Sequence, residues 1–166
     1  KLRSAFRVLD LGCGGCDLDR YLARVYRQSV TGVDISRASL PRRDHRTKSG
    51  GRVRCVKADA ARMDFLRDGT MDAAVSMWAL HEMQDPDGAL REAYRVLRPG
   101  GMILIIDFPR GSIAQELWNE DYYTVSQTAR MLKRAGFEEV RARAIEGGQV
   151  IQATGVRPCA AEGRAG

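Results

Sequence analysis

Short apolar runs rich in β-branched residues recur along this chain, and segments with helical spacing lie between them. The first five such runs are "FRVLDL", "SVTGVDI", "RVRCVKA", "MDAAVSM" and "GMILIIDF". Strands that follow one another through helices pair in parallel by right-handed crossovers, which requires an open sheet with helices on both faces. The end of the chain departs from this rule. There "FEEVRARAI" and "QVIQATGV" are separated by Gly147 and Gly148 with no helix between them. That is the signature of a two-residue hairpin, so the last strand should run antiparallel to its neighbour. The expected fold is α/β: a doubly wound, mostly parallel, seven-stranded sheet of Rossmann-like type.

Two helices have readable ends. In "DGALREAYRVL", Leu90, Ala93, Tyr94 and Leu97 recur on one face, Asp85 can cap, Pro86 suits the first turn, and "RPGG" should stop the helix. In "TVSQTARMLKRAGF", Thr124 and Gln127 have capping-box spacing and Gly136 suits the C-terminal position.

With 166 residues, 44% of them apolar and 29% charged, the chain has the size and composition of one globular domain. We expect it to span residues 1–157, with a disordered tail over 158–166. No apolar run approaches the ~20 residues of a membrane span, and the N-terminus lacks the order of a signal peptide, so a cytoplasmic setting is expected. Four cysteines, Cys13, Cys16, Cys55 and Cys159, are too few for a disulfide scaffold, and reduced thiols are expected. The net charge of +6, concentrated in "PRRDHRTKSGGRVR" over 41–54, leaves a nucleic-acid partner open. A solvated face explains the run as well, and no aromatics interleave it as base-stacking platforms would.

Chemistry concentrates in "VLDLGCGGCDLDRYL", Val8 to Leu22. In an open parallel sheet, ligands bind outside the carboxyl ends of the strands, beside the first strand. A nicotinamide fingerprint would put a third glycine at position 17, which is Asp17. Asp10 just before the glycines would repel a pyrophosphate and attract a cation. At ~4 Å a unit pair is worth ~1 kcal/mol in water and ~4 near a protein surface, enough to select the sign of a ligand. Asp34 ends the second strand, where an acidic residue accepts ribose hydroxyls, and Asp59 ends the third, within reach of an adenine amino group. Alone, each of these two could simply cap the turn that follows it. Together the three carboxylates describe a site for adenine, ribose and a cationic amino-acid end, as in S-adenosylmethionine.

The motifs "VLDLGCG", "VTGVDIS", "VKADAARMDF", "MDAAVSMWALHEMQDP" and "ALREAYRVLRPGGMILIIDF" occur in this order, and the chain resembles a class I S-adenosylmethionine-dependent methyltransferase. It is similar in particular to the small-molecule branch that includes the ubiquinone/menaquinone-biosynthesis enzymes. The resemblance covers roughly residues 6–157 and implies strand order 3-2-1-4-5-7-6. It implies a cofactor site of Asp10, Gly12, Cys13, Gly14, Asp34, Ile35, Asp59, Ala60 and Met77, with S-adenosylhomocysteine as product.

Trp78 should edge the methyl-donor cleft, though it could equally be core. Similar enzymes carry N-terminal helices over the cofactor. Here the first strand begins almost at the start, so the expected cover is "PRGSIAQELWNEDYY". Its Trp118, Tyr122 and Tyr123 either line an acceptor cleft or pack on the sheet. His81 is the candidate general base, and Glu82 could orient it. Cys16 stands where the family usually has glycine, and it creates a C-x-x-C with Cys13 that a metal or redox reading would use, although no metal is expected. The expected function is methyl transfer to a small-molecule acceptor. A cofactor-binding module without turnover and an RNA methyltransferase are the alternatives, and oligomeric state is not readable.

Overall fold

A computed structural model describes residues 2–41, 45–48 and 50–159. The central strand is β1 (Arg7–Leu11), flanked in parallel by β2 (Ser29–Asp34) and β5 (Met71–Met77). Outside β2 lie β4 (Arg52–Lys57), parallel, and β3 (His45–Arg46), antiparallel to β4. On the other side come β6 (Leu97–Asp107), then β8 (Val150–Val156), then β7 (Glu138–Ile145). β8 is antiparallel to both neighbours, as its hairpin signature requires.

The sheet therefore has eight strands where seven were expected, in the order β3-β4-β2-β1-β5-β6-β8-β7. Without β3 the order is the expected one. That two-residue strand lies in the basic run, whose polar composition carries no strand pattern, and pairs with Val53 and Arg52. The rest of the run, 42–44 and 49, lies outside the described residues, as does 160–166 of the expected tail. The last hairpin is also longer than two residues. Ile145 pairs with Val150, and the chain turns through Glu146–Gly148 with positive φ at Glu146, Gly147 and Gly148.

Alternation along β1 divides the core. Val8 joins one layer, with Leu22 and Ala23 of helix α1 (Asp17–Tyr26). Leu9 and Leu11 point the other way, into the larger layer. This layer is covered by Leu90 and Ala93 of α2 (Pro86–Val96) and, after the short α3 (Ile113–Trp118), by Met131 and Leu132 of α4 (Val125–Arg134). Both capping signals form: the Asp85 side chain accepts from the Gly88 N–H at 2.8 Å, and Thr124 and Gln127 make a capping box. "RPGG" does not form a free turn. It is absorbed into β6 as an irregularity between the Met71–Leu97 and Ala73–Met102 pairs. The fold stays tied together as far as Arg157, whose Nη1 donates to the carbonyls of Tyr94, Arg95 and Leu97 at the end of α2.

Candidate active site

A cleft of about 380 Å³ opens at the carboxyl ends of β1, β2, β4 and β5. Gly12 and Gly14 form its floor. Its walls come from Val33–Ser36 and Ser39 after β2, Ala58–Ala60 after β4, and Trp78, Ala79 and Glu82–Gln84 after β5. Gly12 has φ +74°, and a Cβ there would overlap Ala79, so the loop can pass only as glycine. The N–H groups of Gly12 and Cys13 donate to the Val33 carbonyl at 2.8 and 3.0 Å, and the Gly14 N–H donates to Asp34 Oδ2 at 2.9 Å. Three successive amides are thus committed to β2 and cannot cradle a phosphate. This agrees with the broken dinucleotide fingerprint. Asp34 Oδ1 accepts from Ser36 N–H at 2.8 Å, and Asp59 Oδ1 accepts from Ala61 N–H at 2.8 Å. Each carboxylate therefore shapes its own turn while standing in the cleft wall.

Of the residues read from sequence, the structure brings Gly12, Gly14, Asp34, Ile35, Asp59, Ala60 and Trp78 to this lining. Cys13 and Met77 are not part of it. Asp10 is a clear departure, being only 3% exposed beneath the loop, where it lies close to the buried carboxyl of Asp19. Burial, and then the Asp19 and Asp34 carboxylates, raise Asp10 well above the usual range; burial pushes Asp19 up to about 6. Buried beneath the loop, Asp10 is not part of the cleft lining that its place in the sequence suggested.

The same dyad gives a pH prediction. Its folded-state affinity for protons exceeds the ordinary carboxylate value near 4, so the folded chain binds more protons than the unfolded one between about pH 4 and 6. Stability contributed by the protonated dyad is present below that window and lost as pH rises through it. Thermal melts of Asp19→Asn should show a shallower decline, the Asp19 part being worth up to ~3 kcal/mol for a carboxyl moved from its ordinary value to about 6. A pH slope equal to the parent's would rule out the raised Asp19 carboxyl.

His81 also departs from its expected role. It sits in a single 3-10 turn, Leu80–Glu82, that sends Glu82 into the cleft and His81 behind it. Its side chain is 5% exposed, with Nδ1 at 2.7 Å from Asp107 Oδ1 and Nε2 at 3.3 Å from Glu120 Oε2. Burial alone would lower its pKa. The Asp107 hydrogen bond and charge, with Glu82 and Glu120, outweigh that and raise it above the ordinary value. With both nitrogens facing carboxylates, the ring links β6 to the segment around Glu120.

A methyltransferase-domain family model matches residues 9–105. The chain belongs to the methyltransferase domain family. It is 31% identical over 148 residues to phosphoethanolamine N-methyltransferase 3 of Arabidopsis thaliana, covering 84% of this chain and 30% of that protein. It is 29% identical over 192 residues to a ubiquinone/menaquinone biosynthesis C-methyltransferase of Pseudomonas paraeruginosa, covering 95% of this chain and 75% of that one. It thus spans less than a third of the plant relative and three quarters of the bacterial one. In fold it is similar to a putative methyltransferase solved with the Haloferax volcanii Trm112 activator: TM-score 0.76 and 18% identity over 92% of this chain and 83% of that one.

In this methyltransferase domain the segment after β6 packs on the sheet more than it lines the cleft. Tyr122 is 1% exposed, packs its ring at a tilt against His81 with centroids 4.4 Å apart, and donates to Glu120 Oε2 at 2.6 Å. Tyr123 packs on the larger core layer. Trp118 stays 56% exposed, with its ring 5.3 Å from Phe108, which in turn stacks on Trp78 at 4.3 Å. Trp78 itself holds φ +59°, a strained conformation for an aromatic residue, and this turns its ring to the cleft wall. Ser36, Ser39, Met83 and Gln84 are cleft residues that sequence reasoning missed. Their only available signal was adjacency to Asp34 and His81.

The thiols are also corrected. Cys16 and Cys55, 39 residues apart, form a disulfide, while Cys13 is free and buried. A bonded Cys16 is not available as half of a Cys13–Cys16 metal pair.

Proposed function

We propose that this domain binds S-adenosylmethionine in the cleft and transfers its methyl group to a small-molecule acceptor beside Trp78. The observation that carries this reading is the pairing of two cleft carboxylates, Asp34 and Asp59, with a glycine loop whose amides point away from the ligand. That combination suits ribose hydroxyls and an adenine amine, and it disfavours a pyrophosphate. When bound, the cofactor supplies an activated methyl on a positively charged sulfur. The chain's own part is alignment and exclusion of water: Gly12 and Ala79 narrow the floor, and the Trp78–Phe108 stack walls the side where an acceptor would enter. Membership of the methyltransferase domain family supports the reading. No helix of the described residues is long and apolar enough to cross a membrane.

Thermal-shift measurements test it directly. S-adenosylmethionine and S-adenosylhomocysteine should raise the melting temperature while NADH does not, since a ligand bound only by the native state stabilises it by about 2.7 kcal/mol at 100 times its Kd. Stabilisation by NADH with none by either adenosyl ligand would overturn the assignment.

A further inference from the structure

Cys16 occupies the last position of the glycine loop and the N-cap of α1, at φ +58° and with no side-chain cap hydrogen bond. A side chain at positive φ costs on the order of 1 kcal/mol, which is why glycine is common in such a place. What occupies the side chain here is Cys55 on β4, the strand that runs on to the cleft residues Ala58–Ala60. The disulfide therefore ties the floor of the cleft to one of its walls. Beneath it, Gly32 of β2 makes room: a Cβ there would lie 2.7 Å from both Cys13 Sγ and Asp19 Oδ1.

We propose that Cys16 and Cys55 are a reversible oxidation site coupled to the cofactor cleft, the disulfide form binding the cofactor more tightly. This rests on the cofactor reading above. The bond fixes the loop at Gly14 and Cys16 against β4, so less chain entropy remains to be lost on binding. In the dithiol form, the strained Cys16 backbone loses its tether and the loop relaxes. Coupling is reciprocal. Cys16 is fully buried, so a reductant reaches it only when the loop opens, and a ligand resting on Gly14 keeps the loop closed.

Reduction balances with a dithiol as the partner. Its two thiols give up two electrons and two protons, the Cys16–Cys55 bond breaks into two thiols, and the reductant closes into its own disulfide. Cys13 Sγ lies 3.5 Å from Cys16 Sγ but does not compete, because burial and then the Asp19, Asp10 and Asp34 charges keep its thiol protonated.

The test uses the full chain, equilibrated in oxidised or reduced dithiothreitol, with S-adenosylhomocysteine affinity measured by calorimetry and thiols counted by alkylation under denaturing conditions. Two alkylated cysteines are expected in the oxidised form and four in the reduced. Affinity should be ~10-fold higher in the oxidised form, within the usual range of coupling between sites. Saturating ligand should then lower the midpoint potential of the pair by the equivalent ~30 mV. Cys55→Ser and Cys16→Gly should bind the ligand with no response to reductant. Four alkylated cysteines without reductant, or equal affinity in both forms, would overturn the proposal. Equal affinity would leave the cofactor reading intact, whereas no binding in either form removes that reading and the coupling together.

Discussion

Asp34→Ala is expected to weaken S-adenosylhomocysteine binding by ~10- to 100-fold, about 1–3 kcal/mol, the range for losing a charged hydrogen-bond acceptor. Two losses combine at this residue. One oxygen holds the Gly14 N–H and with it the loop, the other holds Ser36, and the carboxylate as a whole faces the cleft where ribose hydroxyls would lie. Asp34→Asn separates the two: it keeps an acceptor for Gly14 while removing the charge, so it should lose less affinity than the alanine variant. Calorimetry on both, with circular dichroism to verify folding, decides the matter. Unchanged affinity in Asp34→Ala would remove the ribose-binding role.

His81→Ala is expected to act on stability. Deleting the imidazole leaves Asp107 buried with only the backbone N–H groups of His81 and Phe108 as donors and frees Glu120 from its clamp. A loss of about 2 kcal/mol follows, roughly 4–8 °C in melting temperature for a chain of this size. The pH dependence has a definite sign. The folded-state pKa of His81 lies above its ordinary value, so its contribution is fully present below about pH 6.5 and lost as pH rises through the folded value. The gap between parent and variant should therefore narrow in alkaline buffer. S-adenosylhomocysteine affinity should be nearly unchanged, and turnover on an acceptor should stay within a few-fold. A ~10²-fold fall in rate with affinity intact would return His81 to the role of general base.

The part of the cleft at the ends of β1, β2 and β4 was legible because its signals are local. Glycines forced by backbone conformation, and acidic residues at strand ends, occupy the cleft as a direct result of their position in a parallel strand–turn unit. Gly12, Gly14, Asp34 and Asp59 all reach the lining in this way. The part after β5 was not legible, because which side of a turn a residue faces depends on the helical phase of a three-residue turn. His81 and Glu82 are adjacent in sequence and separate at that turn, one behind the cleft and one in it. Asp10 failed for a related reason. Its burial beside Asp19, nine residues away in sequence, arises only once α1 folds back over β1.

The sequence by itself determined the doubly wound architecture, the antiparallel pairing of its last two strands, the caps of α2 and α4, and the carboxylates that face the cleft. Each of these follows from hydrophobic period, turn chemistry or position at a strand end, which are properties of neighbouring residues. Only the tertiary structure decided that Cys16 meets Cys55, that Asp10 is buried against Asp19, that His81 is clamped by Asp107 and Glu120, and that Tyr122 packs inward. These contacts join residues on different elements. Their partners and protonation states are fixed by burial and by distances that exist only after the sheet has assembled and the helices have closed over its faces.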